Sequence, residues 1–133
     1  MRWRRFAILE HDHPFLHWDL LLEDSTNAAT WRLLQDPRSC QSVDAQLIQP
    51  HRLLYLTYEG PVSGDRGFVT AVSHGLWKAT DESGLLSTNL PGQWNLELRD
   101  CSFARFASLM RHADGRESWT FAVPPDPITR ETV

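Results

Sequence analysis

From His17 to Glu23 the chain reads His-Trp-Asp-Leu-Leu-Leu-Glu, preceded by Glu10-His11-Asp12-His13-Pro14-Phe15-Leu16. These fourteen residues hold three of the six histidines and four carboxylates. Side chains on a strand alternate between its two faces. Leu16, Trp18, Leu20 and Leu22 therefore share an apolar face, which is expected to meet the core. His17, Asp19 and Leu21 share the other, with His17 and Asp19 about 7 Å apart along the strand. Pro14 has no N–H to give a ladder, so the chain is expected to turn between His11 and Leu16 and return His11 to the side of His17. Two imidazoles and a carboxylate on one point make a metal site with open positions. Histidines beside a turn are also often simply solvated, and periodicity alone leaves both readings open.

The chain has 133 residues, 41% hydrophobic and 23% charged, which suits a single globular domain with a core of its own. A formal net charge of −4 speaks against a non-specific coat for nucleic acid, though not against a local phosphate site. Cys40 and Cys101 are far apart and have no metal-binding spacing. Phe6-Ala7-Ile8-Leu9 is too short for the apolar segment of a signal peptide, and no apolar run approaches a membrane span. The expected location is the cytoplasm.

Turn signals recur at short intervals. A first strand is expected over 2–10, with Phe6 and Ile8 buried, and a second over 16–23. Asp24-Ser25-Thr26-Asn27 turns the chain into a third, 29–34, which places Trp31 in the core. Residues 38–46 are polar and read as a surface loop. The stretch from His51 to Gly60 reads as a strand with a histidine at its mouth. Phe68–Val72 is a strand, Ser73-His74-Gly75 a turn, and residues 76–79 continue beyond it. A weak strand is expected over 85–90. Trp94, Leu96 and Leu98 alternate inward. Residues 103–112 fit either a helix or a strand, and the Asp114-Gly115 turn favours a closing hairpin with 118–123. Residues 124–133 are expected to be a tail. About eight short strands of this spacing imply an antiparallel barrel or sandwich.

The run His11-Asp12, Leu16-His17-Trp18-Asp19-Leu20, Leu22-Glu23 resembles the signature of the 3′-phosphoesterase domain of bacterial ligase D, a DNA end-joining enzyme. A second segment, His51-Arg52-Leu53-Leu54-Tyr55 through Glu59-Gly60, resembles that family's second motif at matching spacing. The resemblance covers roughly residues 5–98. It implies an antiparallel β-barrel with a surface groove and manganese on His11, His17 and Asp19. It also implies contact of His51 and Tyr55 with the scissile phosphate, and an activity that heals 3′ ends by removing a 3′-phosphate or a 3′-ribonucleotide. Asp12 would orient a metal ligand. DNA or RNA-tipped DNA 3′ ends are the implied partners, with any joining enzyme acting in trans.

The chain departs from the pattern where it matters for phosphate. Phe15 and Leu21 stand where the family has arginines, and Gln49 where it has a glutamate. An arginine fork on phosphate is hard to replace. Arg66, in the turn-rich loop 61–67, and the cluster Arg2, Arg4, Arg5 are the expected substitutes. Three functions stay open: a metal-dependent phosphoesterase, a non-catalytic module of the same fold that binds metal or DNA ends, and an unrelated metal-binding β-barrel.

Overall fold

The computed structural model describes residues 2–39, 41–80 and 91–123. Among the described residues, nine strands form one antiparallel sheet: β1 (Arg4–His11), β2 (His17–Glu23), β3 (Ala28–Leu33), β4 (Ser42–His51), β5 (Gly60–Pro61), β6 (Phe68–Ala79), β7 (Gly92–Arg99), β8 (Phe106–Arg111) and β9 (Glu117–Ala122). The order is β1-β2-β3-β4-β9-β8-β7-β6-β5, and β1 also pairs with β6. Eight strands thus close a barrel-like ring, and β5 lies outside it on the end of β6. A single 3₁₀ turn, Leu53–Leu56, follows β4. The turn that Asp81-Glu82-Ser83-Gly84 signals in the sequence, the weak strand expected over 85–90, the tail 124–133 and Cys40 lie outside the described residues. Among those described, no helix is long and apolar enough to cross a membrane.

The interior is filled by alternate residues, as the pleat requires. Phe6 and Ile8 come from β1, and Trp18, Leu20 and Leu22 from β2. Trp94, Leu96 and Leu98 come from β7, and Trp119 and Phe121 from β9. Trp31 and Trp119 meet edge to face with centroids 5.3 Å apart. Aromatic pairs in this arrangement gain about 1 kcal/mol beyond the area they bury.

Sequence and structure part in four places. Leu16 precedes β2 and is exposed, so the apolar face begins at Trp18. Residues 42–46, expected in a loop, begin β4; Val43 and Ala45 point inward and are small, while Ser42, Asp44 and Gln46 are polar and exposed. After His51 the chain makes the 3₁₀ turn instead of a strand. Ser73-His74-Gly75 does not turn: it lies within the twelve-residue β6, which pairs with β1 from Val69 to Trp77 with a register shift between Ile8 and Leu9. The ambiguous segment near residue 106 is strand β8, and it forms the closing hairpin with β9.

The position of the site follows from a second, smaller cluster on the outside of the barrel. Ala7 and Leu9 of β1, Leu21 of β2, Ala28 of β3 and Val69 of β6 pack there against Leu56, with Leu53, Tyr55, Tyr58 and Val62 around them. The segment from the 3₁₀ turn to β5 therefore covers the outer face of β1 and β2. Both faces of β2 are buried in consequence, from His17 to Leu22.

Candidate metal and phosphate site

The site lies on that covered outer face, at the β1–β2 hairpin. The register pairs His11 with His17 and Leu9 with Asp19, and β3 sets Arg32 directly opposite Asp19. All these side chains share the outer face. The face is polar but not open: His17 is fully buried and Asp19 is 2% exposed. His17 is closed in by its neighbours on the hairpin, with the rings of His11 and Phe15 edge-on to it and Asp19 beside it.

Each histidine is oriented by a backbone carbonyl. His17 Nδ1 bonds the Phe15 carbonyl at 2.9 Å, His11 Nε2 the Arg66 carbonyl at 2.8 Å, and His51 Nδ1 the Gln49 carbonyl at 3.2 Å. A carbonyl only accepts, so each of these nitrogens carries the proton. The second nitrogen of every ring faces one carboxylate. His17 Nε2 is 3.3 Å from Asp19 Oδ1, His11 Nδ1 is 3.7 Å from Asp19 Oδ2, and His51 Nε2 is 4.0 Å from Asp19 Oδ2. His17 Nε2 and Asp19 Oδ1 are both buried and neither has a hydrogen-bond partner. Lone pairs facing each other in a buried place call for a cation between them. Ligand atoms of His11, His17 and Asp19 lie within 4.8 Å of one another, so the set fits a divalent metal held by two imidazoles and a carboxylate. The carbonyls behind the rings are the outer partners that such ligands need.

A cavity of about 570 Å³ opens beside the cluster. His11, His17, Asp19, Arg32, His51, Tyr55 and Arg66 line it. Tyr55 packs edge-on against His51 with centroids 5.7 Å apart, and Tyr58 packs against Tyr55 in turn. Tyr58 is itself fastened to the Pro61 carbonyl through its hydroxyl. These contacts fix the cover over the site.

The remaining expected residues fall elsewhere. Asp12 does not line the cavity: its Oδ1 accepts the Phe68 N–H at 2.8 Å and ties the hairpin to the start of β6. Arg66 lines the cavity, but its guanidinium bonds the carbonyl and hydroxyl of Ser63, and the contribution it makes to the cluster is its carbonyl to His11. Arg5 pairs with Glu23, and Arg4 lies 3.7 Å from Asp24. Both arginines sit at the opposite end of β1, roughly 20 Å from His11 at strand rise. Sequence reasoning missed Arg32, although alternation on β3 with Thr30 carried the signal once the partner strand was known.

No protein-family model matches the chain. No curated protein matches it in sequence either.

Proposed function

We propose that this protein is a metal-dependent phosphoesterase acting on nucleic-acid 3′ ends, removing a 3′-phosphate or a 3′-ribonucleotide to leave a 3′-OH. The observation that carries the reading is the common orientation of three imidazoles, each anchored through one ring nitrogen and turned through the other toward Asp19. A cavity large enough for a phosphoester opens beside them. The resemblance of residues 11–23 and 51–60 to the ligase D phosphoesterase motifs supplies the substrate class and the preference for manganese.

His11, His17 and Asp19 would hold the ion. The ion supplies Lewis acidity and a lowered pKa for bound water. The residues around it do the positioning. His51 is fixed with Nδ1–H on Gln49, so only the imidazolium presents an N–H from Nε2 to a phosphoryl oxygen. Tyr55 is held beside it by ring contact and lines the same cavity, where its hydroxyl can donate to a second oxygen. In hydrolysis of a 3′-phosphate, water adds to phosphorus and the P–O3′ bond breaks. The 3′ oxygen takes a proton and inorganic phosphate is released.

The test is an assay of the purified protein with manganese on a primer-template ending in a 3′-phosphate or a single 3′-ribonucleotide. Conversion to a 3′-OH, lost on chelation and in His17→Asn, is the expected result. Metal binding without conversion of either end would replace this reading with a non-catalytic binding module of the same fold.

A further inference from the structure

The chain lacks arginine at Phe15 and Leu21, and neither Arg66 nor the N-terminal cluster offers a free guanidinium to the cavity. Arg32 does. It stands opposite Asp19 in the β2–β3 ladder and lines the cavity with the three histidines. Its Nε is buried without a hydrogen-bond partner, and among the described residues its guanidinium makes no ion pair. The ring of Phe15 lies over it, 5.4 Å from Cζ to centroid, and the same ring meets His17 edge-on at 5.4 Å. An arginine directly across from a buried carboxylate would ordinarily pair with it. Here Asp19 is turned toward the histidines instead. The fork is left poised over the cavity, braced on one side by an aromatic face.

We propose that Arg32 is the phosphate-binding arginine of this site, with Phe15 as the residue that positions it, and that the pair sets a preference for terminal phosphate monoesters over diesters. The proposal rests on the reading of the cavity as a metal–phosphate site. The chemistry is a count of oxygens. A guanidinium fork takes two non-bridging oxygens of one phosphate. The cluster on Asp19 needs a third. A monoester has three non-bridging oxygens and a diester has two, so only the monoester satisfies both at once. Phe15 thus has a part of its own where the related motif has an arginine: the cation comes from the neighbouring strand and the former position supplies the surface that aims it.

The experiment measures three quantities on wild type, Arg32→Gln, Arg32→Lys and Phe15→Ala: affinity for manganese by calorimetry, affinity of the manganese-loaded protein for inorganic phosphate, and turnover of 3′-phosphate and 3′-ribonucleotide ends. Arg32→Gln is expected to keep manganese affinity within about twofold and to weaken phosphate binding at least tenfold. It should depress turnover of the 3′-phosphate more than that of the 3′-ribonucleotide. Arg32→Lys should bind phosphate between the two, since it keeps the charge without the fork. Phe15 is half exposed, so Phe15→Ala should fold, and it should weaken phosphate binding roughly two- to fivefold with manganese affinity unchanged. Phosphate binding as tight in Arg32→Gln as in wild type, or absent from wild type, overturns the proposal. So does unchanged binding in Phe15→Ala if Arg32→Gln does not fold. An equal loss on both kinds of end overturns the monoester preference. Arg32-dependent phosphate binding in a protein that cleaves neither end would sustain the phosphate site while removing the phosphoesterase reading.

Discussion

His17 Nε2 and Asp19 Oδ1 face each other at 3.3 Å, both buried, with no hydrogen bond between them. His17 is bonded through Nδ1 to the Phe15 carbonyl, so its Nε2 presents a lone pair to a carboxylate oxygen. Two acceptors held against one another are relieved by a donor or a cation between them.

Asp19→Asn separates stability from binding. The carboxamide donates an N–H to His17 Nε2 and removes the conflict. In metal-free buffer the variant is expected to be more stable than wild type by about 1 kcal/mol, the usual gain from one hydrogen bond. That corresponds to a rise of about 3 °C in Tm. Manganese at a hundredfold its Kd should stabilise wild type by about 2.7 kcal/mol and leave Asp19→Asn unmoved. Thermal unfolding with and without manganese measures both. A variant less stable than wild type in chelator would mean that Asp19 is already satisfied by a proton shared with His17.

Gly67 lets the loop after β5 lie close against the β1–β2 hairpin. Its φ is +81°, and a Cβ there would sit 2.3 Å from Asp12 Oδ1 and 2.6 Å from His13 Cβ. Gly67→Ala must push the loop away from the hairpin, and the Arg66 carbonyl that orients His11 moves with it. Loss of such an outer partner weakens metal binding 10- to 100-fold in general. About a tenfold loss of manganese affinity is expected, with His11→Ala losing more. An affinity equal to wild type in a calorimetric titration would show that the carbonyl plays no part in orienting the ring.

The candidate metal cluster was legible from the sequence because it is local. Alternation places His17 and Asp19 on one face, and the turn expected around Pro14 returns His11 beside them. What hid the rest was contact between distant segments. The cover on the outer face of β2, where Leu56 and Tyr55 pack with Leu21 from more than thirty residues away, is recorded by no periodicity in β2. Arg32 looked like an ordinary strand residue until the ladder set it opposite Asp19. β4 was hidden because its inward positions include only Val43 and Ala45, too small to mark a buried face. Ser73-His74-Gly75 has the composition of a turn, yet each residue has a place in a continuous strand. Ser73 accepts the Ser102 N–H at 3.0 Å, His74 pairs with Ala7, and Gly75 pairs with Phe6.

At the end of the barrel away from the site, Arg5 donates to Glu23 through its backbone N–H at 2.8 Å and its guanidinium at 2.9 Å. The side-chain bond from Arg5 holds the Glu23 carboxyl below its ordinary value of 4.5. A carboxylate depressed in the folded state stabilises the fold above its unfolded pKa, and that contribution disappears as pH falls through the folded pKa. The pair is partly exposed, so its worth is limited to about 0.5–1 kcal/mol. Glu23→Gln should be less stable than wild type by that amount at pH 7, and the difference should close as pH falls below 4.5 toward the depressed value. Urea unfolding at a series of pH values checks it. A constant difference down to pH 2.5 would assign the loss to packing rather than charge.

Closure of the ring makes its own demand at Gly75. A Cβ at this position would lie 2.1 Å from the Arg99 carbonyl and 3.0 Å from the Phe6 ring. The first neighbour is backbone and belongs to β7, which pairs Arg99 with Leu76. It cannot move away without breaking the β6–β7 ladder, and β1 holds the opposite edge of β6. Gly75→Ala should therefore cost at least about 3 kcal/mol, in the range of backbone-level disruptions, in spite of the higher strand propensity of alanine. The site should suffer only through the global loss. His11 pairs with Val69 at the far end of β6, so manganese affinity measured well below the new Tm should match wild type. A variant that keeps full stability in urea would show that β6 and β7 can separate at Gly75 without opening the ring.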